Sequence, residues 1–287
     1  MFKSKLSLAL STAAMTIGLF VFVASCHKKD TTTTTTTEDN SYANEHSVAE
    51  KSYDDAQSIA DQANNVTSGS IGYKTTELTA GSCATVTHSA TGDTTTIDFG
   101  TTNCMCSDGR NRRGKIIVMK TGAYTATGSV KTITFSNYYQ NDNQVTGTKT
   151  ITNMGNNSAG EPYFNVSVNG SVILASGGGT ITTSWARIRT WTAGSATPTD
   201  WTDDAYEISG SGTITRPSGA VVSVNISSAT PLVIKYGCRW IEAGIIVYTL
   251  PSGLTRTINY GDNTAPVCDA TAILTTPSGA TYTITMP

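Results

Sequence analysis

The sequence predicts an all-β protein, an antiparallel meander that forms a sandwich or a partly open barrel and is preceded by one short N-terminal helix. Composition is the first reason, because the 287 residues include 26 glycines and 51 threonines while only 14% are charged. The second reason is the alternation of apolar and hydroxyl side chains from residue 71 onward, which is typical of half-buried antiparallel strands. We therefore expect a surface covered by hydroxyls and amides rather than by charges.

The charge balance limits the partners that the protein can have. Lysine and arginine number 19 against 21 aspartates and glutamates, which leaves a net charge of −2. Nucleic-acid binding needs clustered positive charge, so we expect no nucleic-acid partner. The chain has three histidines and no paired-histidine or serine-elbow motif, so we expect no metal, no other cofactor and no catalytic residue.

Residues 1–25 form the first predicted element, a targeting segment. Lys3 and Lys5 precede an apolar run that ends in Val-Ala-Ser-Cys at residues 23–26. A basic start and an apolar run are typical of a signal peptide, and the last four residues resemble a bacterial lipobox, in which Cys26 would receive diacylglycerol. The alternative is an uncleaved membrane helix, because the run is nearly long enough to span a bilayer. We expect the first form, with the lipid bilayer as partner through the acylated Cys26.

A polar segment and a helix come next. Residues 26–40 hold seven consecutive threonines and no large apolar side chain, which predicts a flexible tether. Asp-Thr-Thr at residues 30–32 resembles a short bacterial O-glycosylation motif with Thr31 as the acceptor. Residues 41–64 lack glycine and proline and repeat apolar residues at helical spacing, which predicts a helix that packs by a thin stripe. Its acids, Asp54, Asp55 and Asp61, are expected to face solvent.

The remaining residues, 70–287, are predicted to form one β-domain. Strand-like runs with period-two alternation recur along this whole stretch. Pro-Ser-Gly occurs three times between such runs, starting at Pro217, Pro251 and Pro277. Proline presets the first turn dihedral and glycine accepts positive φ, so these tripeptides predict the tips of hairpins.

Five further cysteines are predicted to staple this domain. Two stretches of the chain resemble each other, since each runs from a strand through a glycine to a cysteine and has one cysteine upstream. This similarity predicts one disulfide between Cys238 and Cys268, and another between Cys83 and either Cys104 or Cys106. An exported bacterial protein meets an oxidising compartment, which favours disulfides. The odd count leaves one thiol, and a metal site or a redox role at Cys104 and Cys106 are the alternatives.

Several motifs occur in order along the mature chain. They are IDFGTTNC at residues 97–104, DGR at 108–110, RGKI at 113–116 and CRWIEAG at 238–244. In this set the chain resembles a family of uncharacterised Bacteroidota lipoproteins, and the resemblance spans nearly the whole mature chain from the helix onward. It implies a lipid-anchored protein of the outer membrane, facing the cell exterior or the periplasm.

The candidate ligand surface lies around three tryptophans within 17 residues, Trp185, Trp191 and Trp201. Exposed indole rings stack on sugars, and Asp203 and Asp204 nearby could bond sugar hydroxyls or hold Ca²⁺. The alternative is that the tryptophans fill the core and the acids lie in a loop.

Strand parity predicts which residues of this segment are exposed. Trp185 and Trp191 would share one face with Arg187 and Arg189, and Ile188 would lie on the other. A face that carries two arginines is expected to be wet. We therefore predict that Trp185 and Trp191 are partly exposed and that Ile188 is buried.

A basic loop is a second candidate. Arg110, Arg112, Arg113 and Lys115 follow the first cysteine cluster. They could meet anionic lipid headgroups, although a solvated turn with charges that protect a strand edge also accounts for them.

The expected function is that of a membrane-anchored, non-enzymatic binding or structural module at the cell envelope, with a glycan or an envelope protein as partner. One alternative is a carbohydrate-binding surface protein. A more distant one is a carbohydrate-active hydrolase, which would need two facing carboxylates such as Asp98 or Asp203 with Glu207.

Overall fold

The computed structural model of the protein describes residues 32–65, 80–197, 200–238 and 240–285, and of residues 32–40, 64, 65, 81 and 201 it describes the main chain alone. The predicted targeting segment, the anchor Cys26 and the acceptor Thr31 lie outside the described residues.

The predicted helix is present and longer than expected. Helix α1 spans Thr32–Asn65, so residues 32–40 of the predicted flexible tether are helical. Neither glycine nor proline occurs between Thr31 and Asn65, so nothing in the local sequence breaks the helix there. Ala49, Tyr53, Ala56, Ile59 and Ala60 form its buried stripe.

Strands account for most of the remaining described chain, which confirms the all-β prediction. Their bounds are β1 Thr85–His88, β2 Thr94–Asp98, β3 Cys104–Met105, β4 Asn111–Lys120, β5 Val130–Gln140, β6 Asn143–Asn156, β7 Pro162–Ile173, β8 Thr180–Ala193, β9 Ala205–Thr215, β10 Val221–Ile226, β11 Leu232–Lys235, β12 Ile245–Thr249, β13 Thr255–Asn259, β14 Thr271–Thr275 and β15 Thr281–Thr285.

The three Pro-Ser-Gly tripeptides are hairpin tips, as predicted. They connect β9 to β10, β12 to β13, and β14 to β15. Gly219, Gly253 and Gly279 each have φ near 80°, and each donates its backbone N–H to the carbonyl three residues earlier. Glycine reaches this left-handed region without a steric penalty, which explains its place in the tripeptide.

All strands belong to one antiparallel sheet that does not close. Its order is β1-β2-β4-β5-β6-β7-β8-β9-β10-β12-β13-β14-β15, with β3 paired to β4 and β11 paired to β9. Nearly every strand therefore lies beside its neighbour in the chain, as in a meander. The two edge strands, β1 and β15, are at opposite ends of the sheet.

The sheet has two chemically different faces, defined by α1. The inner face packs against the helix and carries alternate apolar residues such as Ile116, Ile133, Val145, Val168 and Ile181, all buried. A second apolar cluster continues across β9 to β15 and contacts Tyr42 and Ala43 near the start of the described helix side chains. The outer face carries the residues of opposite parity, which are mainly threonine, serine and asparagine.

Two glycines allow the close contacts on the inner face. A Cβ at Gly170 would come within 2.3 Å of the Tyr53 hydroxyl, and that hydroxyl donates to the carbonyl of Thr146 at 2.8 Å. A Cβ at Gly212 would lie 2.2 Å from the Cβ of Trp185. The missing side chains therefore make room for the helix tyrosine and for the indole ring.

The predicted exposure of the tryptophan strand is wrong, and the two faces are reversed. Trp185 and Trp191 are only 7% and 5% exposed, whereas Ile188 is 44% exposed. Arg187 does share a face with Trp185, as strand parity predicts. However, α1 covers that face, and its Glu50 binds Arg187. Arg187 therefore marks a contact with the helix and not a surface exposed to solvent.

Truncation of these side chains tests the reversed arrangement. We expect Trp185→Ala to lower the free energy of unfolding by about 3–5 kcal/mol, as for a core aromatic. Ile188→Ala should cost less than about 1 kcal/mol, because its side chain is on the surface. Urea unfolding of both variants measures the difference, and a larger loss for Ile188→Ala would contradict this packing.

Candidate binding surface

Helix α1 is bound to the sheet by a row of ion pairs, and the predicted solvated face is correct only in part. The side chains of Asp54 and Asp61 are 59% and 42% exposed although each binds a sheet cation, whereas Asp55 is 20% exposed. Basic residues on β4 to β9 and in the adjoining turns reach up to the helix carboxylates. The pairs are Glu45–Arg216, Glu50–Arg187, Asp54–Lys149, Asp55–Arg110 and Asp61–Lys131.

The most enclosed pair is Glu50 with Arg187, which is 8% exposed. Two nitrogens of Arg187 donate to the two carboxylate oxygens at 2.5 and 2.8 Å. His46 lies one helical turn away, with its Nε2 at 3.3 Å from Glu50 Oε1 and its Nδ1 at 2.9 Å from the Tyr248 hydroxyl. The two terminal nitrogens of Arg187 thus have partners on the helix, while its buried Nε has no hydrogen-bond partner among the described residues.

This environment makes the stability depend on pH. Burial by itself would raise the pKa of Glu50, but Arg187 and then His46 outweigh it and lower that pKa from 4.5 to about 2. A lowered carboxyl pKa stabilises the fold at pH values above the unfolded pKa, and the contribution is lost as the pH falls. The relevant window therefore runs from about pH 4.5 down to about pH 2.

The basic loop is neutralised within the protein. Arg112 is fully buried, donates to both oxygens of Asp108 at 2.7 and 2.6 Å, and contacts the Tyr138 hydroxyl at 3.2 Å. Burial would lower the pKa of Arg112, yet its hydrogen bond to Asp108 leaves that pKa raised.

The other three cations of the loop also face carboxylates. Arg110 contacts Asp55, Arg113 contacts Asp142, and Lys115 contacts Asp98 at 2.8 Å. With each positive charge partnered, the loop offers little to an anionic headgroup.

The predicted tryptophan site has a structural role where it is described. Trp191 donates its Nε1–H to Asp204 at 2.9 Å, and the Tyr206 hydroxyl donates to the other oxygen of Asp204 at 2.9 Å. Asp203 accepts a bond from the Thr197 hydroxyl at 2.6 Å. Burial raises the pKa of Asp204 despite the two bonds that it accepts.

These hydrogen bonds hold the loop that carries Asp203 and Asp204 to β8 and β9. The two carboxylates are therefore engaged within the protein and are not free to bind a ligand. Trp185 lies between the charges of Arg187 and Lys149, which stand 4.5 and 5.7 Å from its ring centre. The side chain of Trp201 is outside the described residues. The proposed platform of exposed indoles is therefore absent at Trp185 and Trp191.

Two cysteine pairs lie at disulfide distance, in the predicted pairing. Cys238 and Cys268 have Cα atoms 5.7 Å apart, and Cys83 and Cys104 have Cα atoms 5.6 Å apart. This resolves the alternative that the sequence left open in favour of Cys104, and Cys106 is a buried free thiol. Loops of this length could each stabilise the fold by roughly 3–4 kcal/mol.

Glu242 is buried beside the second disulfide. Its carboxylate and the sulfurs of Cys238 and Cys268 lie within 4.8 Å of one another. Such a cluster resembles a ligand set for a metal, but the thiolate is the ligand form of cysteine and both sulfurs are bonded to each other. The carboxylate contacts Lys235 at 3.4 Å instead.

The carboxylates considered for hydrolysis are not all brought together. Asp98 is on β2 and Glu207 is on β9, six steps apart in the strand order. Neighbouring strands are spaced by about 4.8 Å, so this separation far exceeds the roughly 5–10 Å of a glycosidase pair.

The outer face carries a groove of about 660 Å³ across β6, β7, β8 and β9. Strand register places its side chains in two rows, one of which runs Thr150, Ser167, Ala186 and Ser211. The other runs through Thr148, Asn169 and Ser184. Val168, Trp185 and Gly212 also line the groove. The side chains of Val168 and Trp185 lie on the inner face, so it is the main chain of these residues that forms the floor of the groove.

The polar side chains of the groove have unused hydrogen-bonding capacity. None of the six forms a side-chain hydrogen bond or an ion pair with another described residue, and no lining residue is charged. The six are Thr148, Thr150, Ser167, Asn169, Ser184 and Ser211. Each hydroxyl or amide can both donate and accept. The arrangement can therefore bind an uncharged polar ligand without displacing an internal partner.

Sequence reasoning missed this groove. The alternation in the sequence places threonines and serines on the solvent side of each strand. The pattern of a single strand does not show which residues lie beside them on the neighbouring strands. The sequence feature that could have indicated the groove is the run of small polar residues at alternate positions on four consecutive strands. These residues form a groove only when the strand register brings them side by side.

Comparisons with protein families, with curated proteins and with solved structures found no match for this chain. The motifs that resemble envelope lipoproteins therefore remain a prediction. Within the described part of the chain, no helix combines the length and the apolar character needed to cross a membrane.

Proposed function

We propose that this protein is a lipid-anchored, non-enzymatic binding module of the bacterial cell envelope that holds neutral glycans on its outer face. The observation that carries the proposal is the uncharged groove across β6 to β9, whose six polar side chains have no side-chain partner among the described residues.

The chemistry of the groove fits a sugar. Sugar hydroxyls donate and accept, as do the hydroxyls of Thr148 and Ser184 and the amide of Asn169. Small side chains let a flat ring approach the sheet closely. Because the groove is open and has no exposed aromatic ring among its lining residues, we expect weak binding at each site.

Binding is favoured over hydrolysis by the same lining. Hydrolysis of a glycosidic bond generally requires two carboxylates beside the bond. The residues that line the groove include no aspartate, glutamate or histidine. A ligand in this groove would be held and released unchanged.

Anchoring is proposed through Cys26. Residues 23–26 have the order of a lipobox, and α1 begins at Thr32, six residues after the cysteine. The acylated cysteine would hold the sheet close to the outer membrane, facing the exterior or the periplasm.

Substitutions in the groove test the proposed ligand. On an array of neutral and charged glycans, the full chain should bind neutral members. Asn169→Ala with Ser184→Ala should weaken that binding about fivefold or more, since each lost hydrogen bond is worth about 0.5–1.5 kcal/mol. The matched control is Ser223→Ala with Thr255→Ala on β10 and β13, two exposed residues outside the groove, which should bind as the unchanged chain does. Binding limited to charged glycans, no binding at all, or equal affinities for both double variants would refute the proposal.

The anchor is tested separately by fatty-acid labelling. The full chain expressed in a bacterial host should incorporate labelled palmitate and fractionate with membranes. Cys26→Ser should abolish the label, because the thiol is the attachment point. If the variant carries label and remains with the membranes as before, Cys26 is not the anchor.

A further inference from the structure

The second edge of the sheet is unpaired in the described structure. Strand β15 pairs with β14 and with no other described strand. Thr281, Thr283 and Thr285 are exposed on the outer face, while Tyr282 and Ile284 are half-buried against the second apolar cluster. One side of its backbone is therefore available to another strand.

This edge lacks the features that usually prevent association. Natural edge strands carry lysine, proline, a bulge or an inward charge that prevents pairing with another chain. Strand β15 has the sequence TYTIT, in which every residue favours extended structure. Its register with β14 is continuous over five residues.

The strand is also complementary to itself. We propose that β15 pairs antiparallel with β15 of a second copy of this chain, about a two-fold axis at Thr283. In that register Thr281 faces Thr285 and Tyr282 faces Ile284. Threonines then meet threonines on the outer face, and apolar side chains meet on the inner face.

The geometry of such a pair suits an anchored protein. The two-fold axis of an antiparallel strand pair is perpendicular to the sheet, so both outer faces point the same way. Both copies of α1 lie on the opposite face, and Tyr42, the eleventh residue of the helix, packs with the cluster of β9 to β15. The two helix starts therefore lie on one side of the assembly, where both lipids could enter one bilayer.

The pairing closes on itself, because each copy has one β15 edge and uses it once. Five paired residues make a small interface, so association should be weak in solution. Confinement to a membrane raises the effective concentration and favours the pair. The dimer would present two grooves on a continuous face.

Single cysteines test the register. Cys106 is buried and the other four described cysteines are in disulfides, so an added thiol on the outer face is the accessible one. In membranes that contain the full chain, mild oxidation should cross-link Thr283→Cys to itself at least about five times faster than Thr213→Cys, since paired Cβ atoms lie about 4.5–5.5 Å apart. Thr213 is exposed on the same face, away from the edge.

A mixed experiment separates this register from others. Co-expressed Thr281→Cys and Thr285→Cys chains should cross-link to each other at a rate similar to that of Thr283→Cys, while Thr281→Cys alone should react as slowly as the control. Cross-linking of Thr283→Cys at the control rate would overturn the proposal. So would self-linkage of Thr281→Cys as fast as Thr283→Cys, or sedimentation of the unchanged chain in detergent as species larger than a dimer.

Discussion

The contact between the acidic side of α1 and the basic inner face of the sheet organises this protein. A meander of this length with one apolar face cannot remain open to water, and the helix covers part of that face. Tyr53, Ile59 and other apolar side chains of the helix supply the buried apolar area of this contact. The pair Glu50–Arg187 and the other ion pairs fix the position of the helix. Removal of one partner would leave a buried charge without compensation, which is costly.

Local patterns predicted the parts of the fold that depend on neighbours in sequence. The Pro-Ser-Gly turns and the period-two strands are of this kind. The cysteine pairs, 21 and 30 residues apart, were predicted instead from the similarity of two stretches of the chain. The exposed side of β8 could not be obtained in this way, because Arg187 finds its carboxylate 137 residues away on Glu50. A strand with alternate arginines looks wet until another element supplies the opposite charge, and then the same residues mark a buried contact.

The contact between α1 and the inner face of the sheet also determines which surfaces remain exposed for function. Covering the inner face with α1 buries Trp185 and Arg187, so the residues with the most conspicuous chemistry become structural. The outer face keeps neutral, hydrogen-bonding side chains such as Asn169 and Ser184. These residues are individually unremarkable in the sequence, and their significance depends on lateral register, which single-strand patterns do not contain. Hence the exposure of Trp185 and Trp191 was predicted wrongly although the fold class was correct.

The pH dependence of stability measures the central contact most directly. The free energy of unfolding of the unchanged chain and of Glu50→Gln should be compared from pH 7 down to pH 2. Gln is the neutral counterpart of protonated Glu50, and a pKa lowered from 4.5 to about 2 corresponds to about 3 kcal/mol. The account predicts a difference of about that size above pH 4.5 that closes as the pH approaches 2. A difference that is negligible at neutral pH, or that does not change between pH 4.5 and 2, would contradict the proposed role of the helix–sheet ion pairs.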